Sequence, residues 1–212
     1  MLPVDPLMLA AFIPAALALN LTPGADMMFC LGQGLRGGPR VAMAANAGIA
    51  LGVMVHVLIA ALGLSALVIA YPALFDVIRW AGMAYLLALA GAALWGSGQA
   101  GAGGAPGAAL PALRAFRDGL AVNLTNPKVA LFVLAFVPQF VVVERGAVLA
   151  QFLILGAVLS LGGLLVNGAV GLSAGGVGRS LAASPGLRRL AAWLTAGIFT
   201  TLAIRLALME RS

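Results

Sequence analysis

Asn20-Leu21-Thr22-Pro23-Gly24 and Asn123-Leu124-Thr125-Asn126-Pro127 carry the same Asn-Leu-Thr triplet followed by helix-breaking residues, 103 positions apart in a chain of 212. Each lies inside a long apolar segment, so the chain reads as written twice, with an interruption at the corresponding place in each half. Proline lacks a backbone donor, fixes φ and pushes the residue before it out of helical geometry. In hydrocarbon the backbone groups freed by such a break must find partners, so a break is tolerated only against protein or a water-filled cavity. Both breaks are expected to point inward.

The surrounding composition sets the medium. The chain is 63% hydrophobic and 8% charged, where a soluble domain carries about 25% charged residues. Too few polar groups are present to cover a water-facing surface, and the chain reads as an integral membrane protein. A net charge of +6 would suggest nucleic acid in a soluble protein. Here the arginines fall between apolar spans, where they set orientation, and no nucleic-acid partner is expected. Cys30 is the only cysteine, which excludes an intrachain disulfide and a thiolate metal cluster. Ala16-Leu17-Ala18 resembles a signal-peptide cleavage site, but Asp5 and no lysine or arginine precede it. The apolar pattern also runs on to Leu31, so the segment is read as a retained span.

About 20 apolar residues suffice for one crossing, and six such stretches are present. They cover 7–31, interrupted at Pro23 and Gly24; 41–69; a third that begins after Tyr71, Pro72, Asp76 and Arg79 and reaches Trp95; 119–143; 147–174; and 190–208. A glycine-rich loop from Gly32 to Arg40 is expected between the first two. Residues 97–111, rich in Gly, Ala and Pro, read as a flexible linker inside a single membrane domain, between repeat one (1–96) and repeat two (112–212). Because three is odd, the second set of spans must enter the membrane in the opposite sense. The expected fold is an all-α integral membrane protein: six transmembrane helices as two inverted three-helix repeats with broken first helices. Many secondary transporters share that pattern, with the substrate site at the breaks near the midplane. Lysine and arginine favour the odd-numbered connections, which places both termini outside, against the pull of Arg205 and Arg211.

Thr22 before Pro23 and Asn126 before Pro127 read as N-caps followed by proline at the first helical position. Each break would then start a half-helix whose amides and partial positive charge hold an anion such as a substrate carboxylate. The plainer reading is a kink satisfied by Thr22 or Asn126 alone. Asp26 is the only acidic residue well inside a span and Lys128 the only intramembrane lysine. An ionisable group at that depth costs at least about 2.5–3.5 kcal/mol, so each should be paired, hydrated or used. Asp26 suits proton uptake, or else it stabilises the first turn of its half-helix. Lys128 opposes the dipole of the helix it starts and needs a partner: Asp26, a carbonyl of the other break, or the substrate. Otherwise it snorkels toward the cytoplasm.

His56 lies on a stripe of small residues, Ala44, Gly48, Gly52 and Ala60, and is either a hydrogen-bonded packing residue or a proton relay. In the fifth span Gly156, Ser160, Gly163, Asn167 and Gly171 form one small, polar face, on which Asn167 lines the pathway or bonds a neighbouring helix. The candidate translocation set is Asn20, Thr22, Pro23, Gly24, Asn123, Thr125, Asn126, Pro127, Lys128 and Asn167, with Asp26 and His56 for proton coupling. No cofactor or metal is expected. An enzyme is not expected either, since His56 has no nucleophile or metal set beside it.

These residues resemble the amino-acid exporters grouped around the lysine exporter LysE and the homoserine/threonine exporter RhtB. The resemblance covers essentially the whole chain. It rests on Thr22-Pro23-Gly24-Ala25-Asp26, Gly48 to Gly52 with His56, Trp80-Ala81-Gly82-Met83-Ala84-Tyr85-Leu86, Asn123-Leu124-Thr125-Asn126-Pro127-Lys128 and Pro138-Gln139-Phe140. Ala25 departs from the second proline that members of the family often carry. The resemblance implies six helices in a bacterial cytoplasmic membrane and export of neutral or basic amino acids or close derivatives, driven by proton entry. The partners are then an amino acid, protons and the lipid bilayer, with a homo-oligomer open through the glycine pairs Gly48 to Gly52 and Gly171 to Gly175. The alternative is efflux of cations, metals or another small solute, for which one carboxylate, one histidine and no thiol cluster are poor ligands.

Overall fold

The computed structural model describes residues 3–70, 80, 83–84, 87–88, 90–91, 94, 111–174 and 185–208. Tyr71, Pro72, Asp76, Arg79, Tyr85, Trp95, Gly175, Arg211 and nearly all of the linker 97–111 lie outside the described residues.

The described chain is helical, with no strand among its residues. Helix α1 spans Pro6–Leu21 and α2 spans Ala25–Ala70; α3 is Ala112–Leu124, α4 is Pro127–Ala135, α5 is Val148–Leu172 and α6 is Pro185–Leu208. Two short 3-10 turns, Val137–Phe140 and Val143–Arg145, connect α4 to α5. The start of α1 is set by Asp5, whose Oδ1 accepts from the Leu7 and Met8 amides at 2.8 and 3.3 Å, with Pro6 at the first helical position.

Helix α2 is two arms. At Gly38 the backbone takes φ 73° and ψ −171°, a left-handed conformation that glycine adopts without steric cost, and Pro39 follows. The chain reverses there. A Cβ on Gly171 would stand 2.9 Å from Ala42 Cβ and 3.3 Å from the Cys30 carbonyl, whereas residues twelve apart on a straight helix are separated by about 18 Å at 1.5 Å per residue. This corrects the loop expected from Gly32 to Arg40. Helix continues through Gly32, Gly34, Arg36 and Gly37, and the connection contracts to Gly38. The reason is a close helix contact: Gly34 lies directly on the Gly171 carbonyl, with room for hydrogen and nothing larger. A residue of low helix propensity is thereby held helical by packing. In the second half, Arg114, Arg117 and Asp118 belong to α3 instead of preceding the span, and α3 begins at Ala112.

The contacts fix the directions. Residues 6–37 run parallel to α5: Arg145 pairs with Asp5 at one end, Asn20 Nδ2 donates to the Leu159 carbonyl at 3.1 Å midway, and Gly34 meets Gly171 at the other end. The returning arm of α2 descends the same helix. Asn46 Nδ2 donates to Leu164 O at 2.8 Å, Ser160 Oγ donates to Ala50 O at 3.1 Å, and Val57 packs on Gly156. Helix α3 follows that arm in parallel, with Ala115 against Val41 and Ala45, Gly48 on the Phe116 carbonyl and Gly52 on Asn123. The two broken segments, 6–37 and 112–140, therefore run in opposite directions.

A Cβ at Gly48 would overlap the Phe116 carbonyl, and one at Gly119 the Ala45 carbonyl. The small-residue stripe is thus a seam between helices within the chain, and Gly171 is likewise used inside it. Where α1, α4, the first 3-10 turn and α6 meet, Phe12, Phe132, Phe136, Phe140 and Phe199 form the aromatic part of the larger apolar cluster among the described residues, with ring centroids as close as 4.7 Å. Large apolar side chains also cover the outside, among them Leu7, Leu62 and Leu165. By length and composition Ala25–Gly63 and α5 hold enough apolar chain to cross a membrane, and α3 with the segment to Phe140 makes a further span bent by 55°. The chain is a membrane protein of helices.

Candidate functional site

The first break begins with a missing donor. A continuing helix would pair the Leu19 carbonyl with the amide of residue 23, but residue 23 is proline and has no N–H. Thr22 turns extended, at φ −67° and ψ 116°, and its own carbonyl leaves the helical ladder as well. The Thr22 hydroxyl and amide both donate to Ala18 O, at 2.7 and 3.0 Å. Thr22 therefore closes α1. The expected N-cap role passes to Gly24, whose carbonyl accepts the first bond of α2 from the Met28 amide at 3.0 Å, because Pro23 lies outside the new helix.

Lys128 supplies what Pro23 removed. Its Nζ donates to Leu19 O at 3.1 Å and to Thr22 O at 2.8 Å. A cation at the start of α4 is unfavourable for that helix, yet here the charge is delivered to the carbonyl end of α1, where it is favourable. Of the partners the sequence left open, carbonyls of the other break hold the ammonium. Gly24 leaves the space: a Cβ there would stand 3.0 Å from Lys128 Nζ.

The second break repeats the logic. Pro127 strands the carbonyl of Asn123, which accepts instead from the Asn126 amide at 2.9 Å and from His56 Nε2 at 3.2 Å. A carbonyl only accepts, so Nε2 carries the hydrogen in this tautomer. Asn126 caps α4 as the spacing predicts, its Oδ1 accepting from the Lys128 amide at 3.0 Å with Pro127 at the first position. Thr125 is placed apart from the rest of the set: it is exposed, and its hydroxyl donates back to Ala121 O at 2.8 Å.

The two breaks are tied again through side chains, with Asn123 Nδ2 donating to Asp26 Oδ2 at 2.8 Å. Asp26 Oδ1, Asn123 Oδ1 and Asn126 Nδ2 are buried without a hydrogen-bond partner among the described residues. Asp26 lines a small cavity of about 10 Å³ together with the polar residues Asn20, Ser160 and Asn167 and the apolar residues Leu19, Ile49, Val53, Val129 and Leu159. That is room for about one water molecule. Asn167 is buried and makes no side-chain hydrogen bond among the described residues. The lining thus combines a carboxylate, the Asn167 amide and aliphatic carbon.

Four polar residues outside the sequence-derived set are also buried: Gln33, Asn46, Gln151 and Ser160, the last bonded to Ala50 O. Asn46 Oδ1 and Gln33 Oε1 have no partner among the described residues. Gln151 is fully buried and clamps the α4–α5 connection, accepting from the Val142 amide and donating to Val142 O and Gly146 O, each at 2.8 Å. The available signal was polarity alone inside an apolar span, which marks a residue as paired or used.

Comparison with known proteins places this architecture. The family model for the LysE type translocator matches residues 17–210. A leucine efflux protein of Enterobacter sp. (strain 638) is 32% identical over 200 residues, covering 92% of this chain and 93% of the relative. A homoserine/homoserine lactone efflux protein of Salmonella typhimurium is 33% identical over 146 residues, covering 69% of this chain and 70% of the relative. No solved structure matches. With nearly the whole chain matched, this protein belongs to the LysE type translocator family.

Proposed function

We propose that the chain is a secondary active exporter of amino acids in a bacterial cytoplasmic membrane, working by proton antiport and alternating access. In this reading six transmembrane helices form two inverted repeats, 1–96 and 112–212, joined by the linker 97–111, with both termini outside. The observation that carries it is the cavity beside the breaks: Asp26, whose Oδ1 has no hydrogen-bond partner among the described residues, shares its lining with Leu19, Ile49, Val53, Val129 and Leu159. A carboxylate in a lining otherwise rich in aliphatic side chains suits the ammonium of a neutral, aliphatic amino acid, and a basic side chain would need a second carboxylate that the cavity lacks among the described residues. The names of the relatives, leucine efflux and homoserine efflux, agree with a neutral substrate.

Asp26 alternates between the substrate ammonium and a proton, and Asn123 relays its state to His56, which holds the second break. Asn20 and Asn167 orient the substrate, while Asn126 Nδ2, buried without a partner among the described residues, offers a donor to its carboxylate. At about 10 Å³ the cavity is closed to an amino acid, so loading requires the surrounding helices to separate, as alternating access demands. Among the described residues no three His, Cys, Asp or Glu side chains gather as metal ligands.

The test is retention of leucine, homoserine, threonine and lysine in cells loaded through dipeptides, comparing no carrier, this chain and Asp26→Asn. Lower internal leucine or homoserine with this chain, lost in Asp26→Asn despite normal membrane insertion, supports the reading. No movement of any neutral amino acid sinks it. Export that survives in Asp26→Asn removes the proton role from Asp26.

A further inference from the structure

Lys128 is the sole lysine of the chain; the other eleven of its twelve basic residues are arginines. Its ammonium rests on Leu19 O and Thr22 O, the two carbonyls that Pro23 and the extended Thr22 strand at the end of α1. Half-helix carbonyl ends of this kind coordinate the coupling cation in transporters built on broken helices. A compact ammonium is a point charge with three donors, close in character to a small monovalent cation, whereas a planar guanidinium is not. Gly24 completes the cradle, since any side chain there would press on Nζ.

We infer that the Leu19 and Thr22 carbonyls form a small monovalent-cation site which Lys128 occupies permanently, so that the carrier needs no sodium and the first break is held in shape by an internal cation. Lys128 is then a positioning residue, reaching the substrate only through the break it stabilises. Shortening it should uncover the site. The inference concerns the same region as the export reading, but it is read by thermal unfolding, which needs no transported substrate. Failure of one is therefore distinguishable from failure of the other.

The experiment measures Tm of the purified full chain in detergent, in sodium, ammonium or choline chloride at matched ionic strength. Wild type should be indifferent to which salt is present. Lys128→Ala should lose roughly 5 °C in choline and regain it in ammonium or sodium, rising with the logarithm of concentration once the site begins to fill, as mass action requires. Lys128→Met refills the space without charge, and should be destabilised and unresponsive to all three. Wild type stabilised by sodium over choline would overturn the inference, because the site would then be open. So would Lys128→Ala that equals wild type or ignores all three salts, and so would Lys128→Met that matches wild type. Should Lys128→Ala fail to accumulate, the wild-type and Lys128→Met arms still decide.

Discussion

Asn123 Nδ2 donates to Asp26 Oδ2 across 2.8 Å, joining the residue before one helix break to the first turn after the other. The bond runs between segments of opposite direction and matches the reach of Lys128 to Leu19 and Thr22 in the reverse sense. Each break is thus completed by the half-helix of the other. Removing the amide strands a buried carboxylate, so Asn123→Ala should cost about 3 kcal/mol in stability. Asn123→Asp should cost as much by setting two carboxylates together. Thermal unfolding in detergent checks both, and Asn123→Ala with wild-type Tm would remove the link from the argument.

Asp26→Asn keeps an oxygen able to accept from Asn123 but gives up the charge. It should fold, with a stability change of about 1 kcal/mol or less, while export falls to the level of cells without the carrier. The pairing of a near-normal Tm with absent export is the outcome to look for, and an unfolded protein would show that the charge is structural.

Gly52 faces Asn123 closely enough that a Cβ would stand 2.5 Å from Oδ1. Gly52→Ala should therefore push Asn123 off Asp26 and reduce export at least tenfold, a loss of about 1.4 kcal/mol or more in transition-state terms. Gly63→Ala, in open space on the same helix, should leave export unchanged. Equal effects at the two positions would reject the close-contact explanation.

Gln151 holds the chain around Val142 and Gly146 with three bonds of 2.8 Å. Gln151→Leu keeps the volume and strands those backbone groups, for an expected loss of about 2–4 kcal/mol. Cysteines introduced at Glu144 should also label faster with a polar maleimide in the Gln151→Leu background. Unchanged labelling would mean that the turn is held by other contacts.

Asp5 has two duties, capping α1 and pairing with Arg145 at 2.6 Å. Both side chains are partly exposed, so the pair should contribute less than about 1 kcal/mol, while the cap contributes about 1 kcal/mol. Asp5→Asn, which retains the cap, should be milder than Asp5→Ala. A double-mutant cycle with Arg145→Ala measures the pair alone, and a coupling above that range would contradict the ranking.

The local geometry of the second break is legible in the sequence because it is written in local chemistry. Pro127 with Asn126 ahead of it specifies a capped helix start, and the structure has it. The same reasoning misplaced Thr22 by treating Thr-Pro like Asn-Pro. With Gly24 available as a cap, Pro23 stays outside the helix and the threonine turns back to Ala18. The glycines from Gly32 to Gly38 looked like a loop because propensity is a local quantity. Gly34 is helical because Gly171, far along the chain, leaves no room for anything larger.

The sequence by itself marked the breaks at Thr22-Pro23-Gly24 and Asn126-Pro127, where a proline that deletes its own donor stands beside a capping or helix-ending residue; Pro14, with neither beside it, is carried inside α1. It also determined the medium, because a chain this poor in charge has no polar coat to offer water. Only the tertiary structure decided who repairs the breaks. Lys128 meets Leu19 across 109 residues and His56 meets Asn123 across 67; the first pairing depends on two broken segments lying antiparallel and close, the second on the returning arm of α2 lying along α3. That arm is seated by Gly48 on Phe116 and Gly119 on Ala45, contacts whose small residues are visible in the sequence but whose partner surfaces are not, because each exists only when the distant surface is already in place.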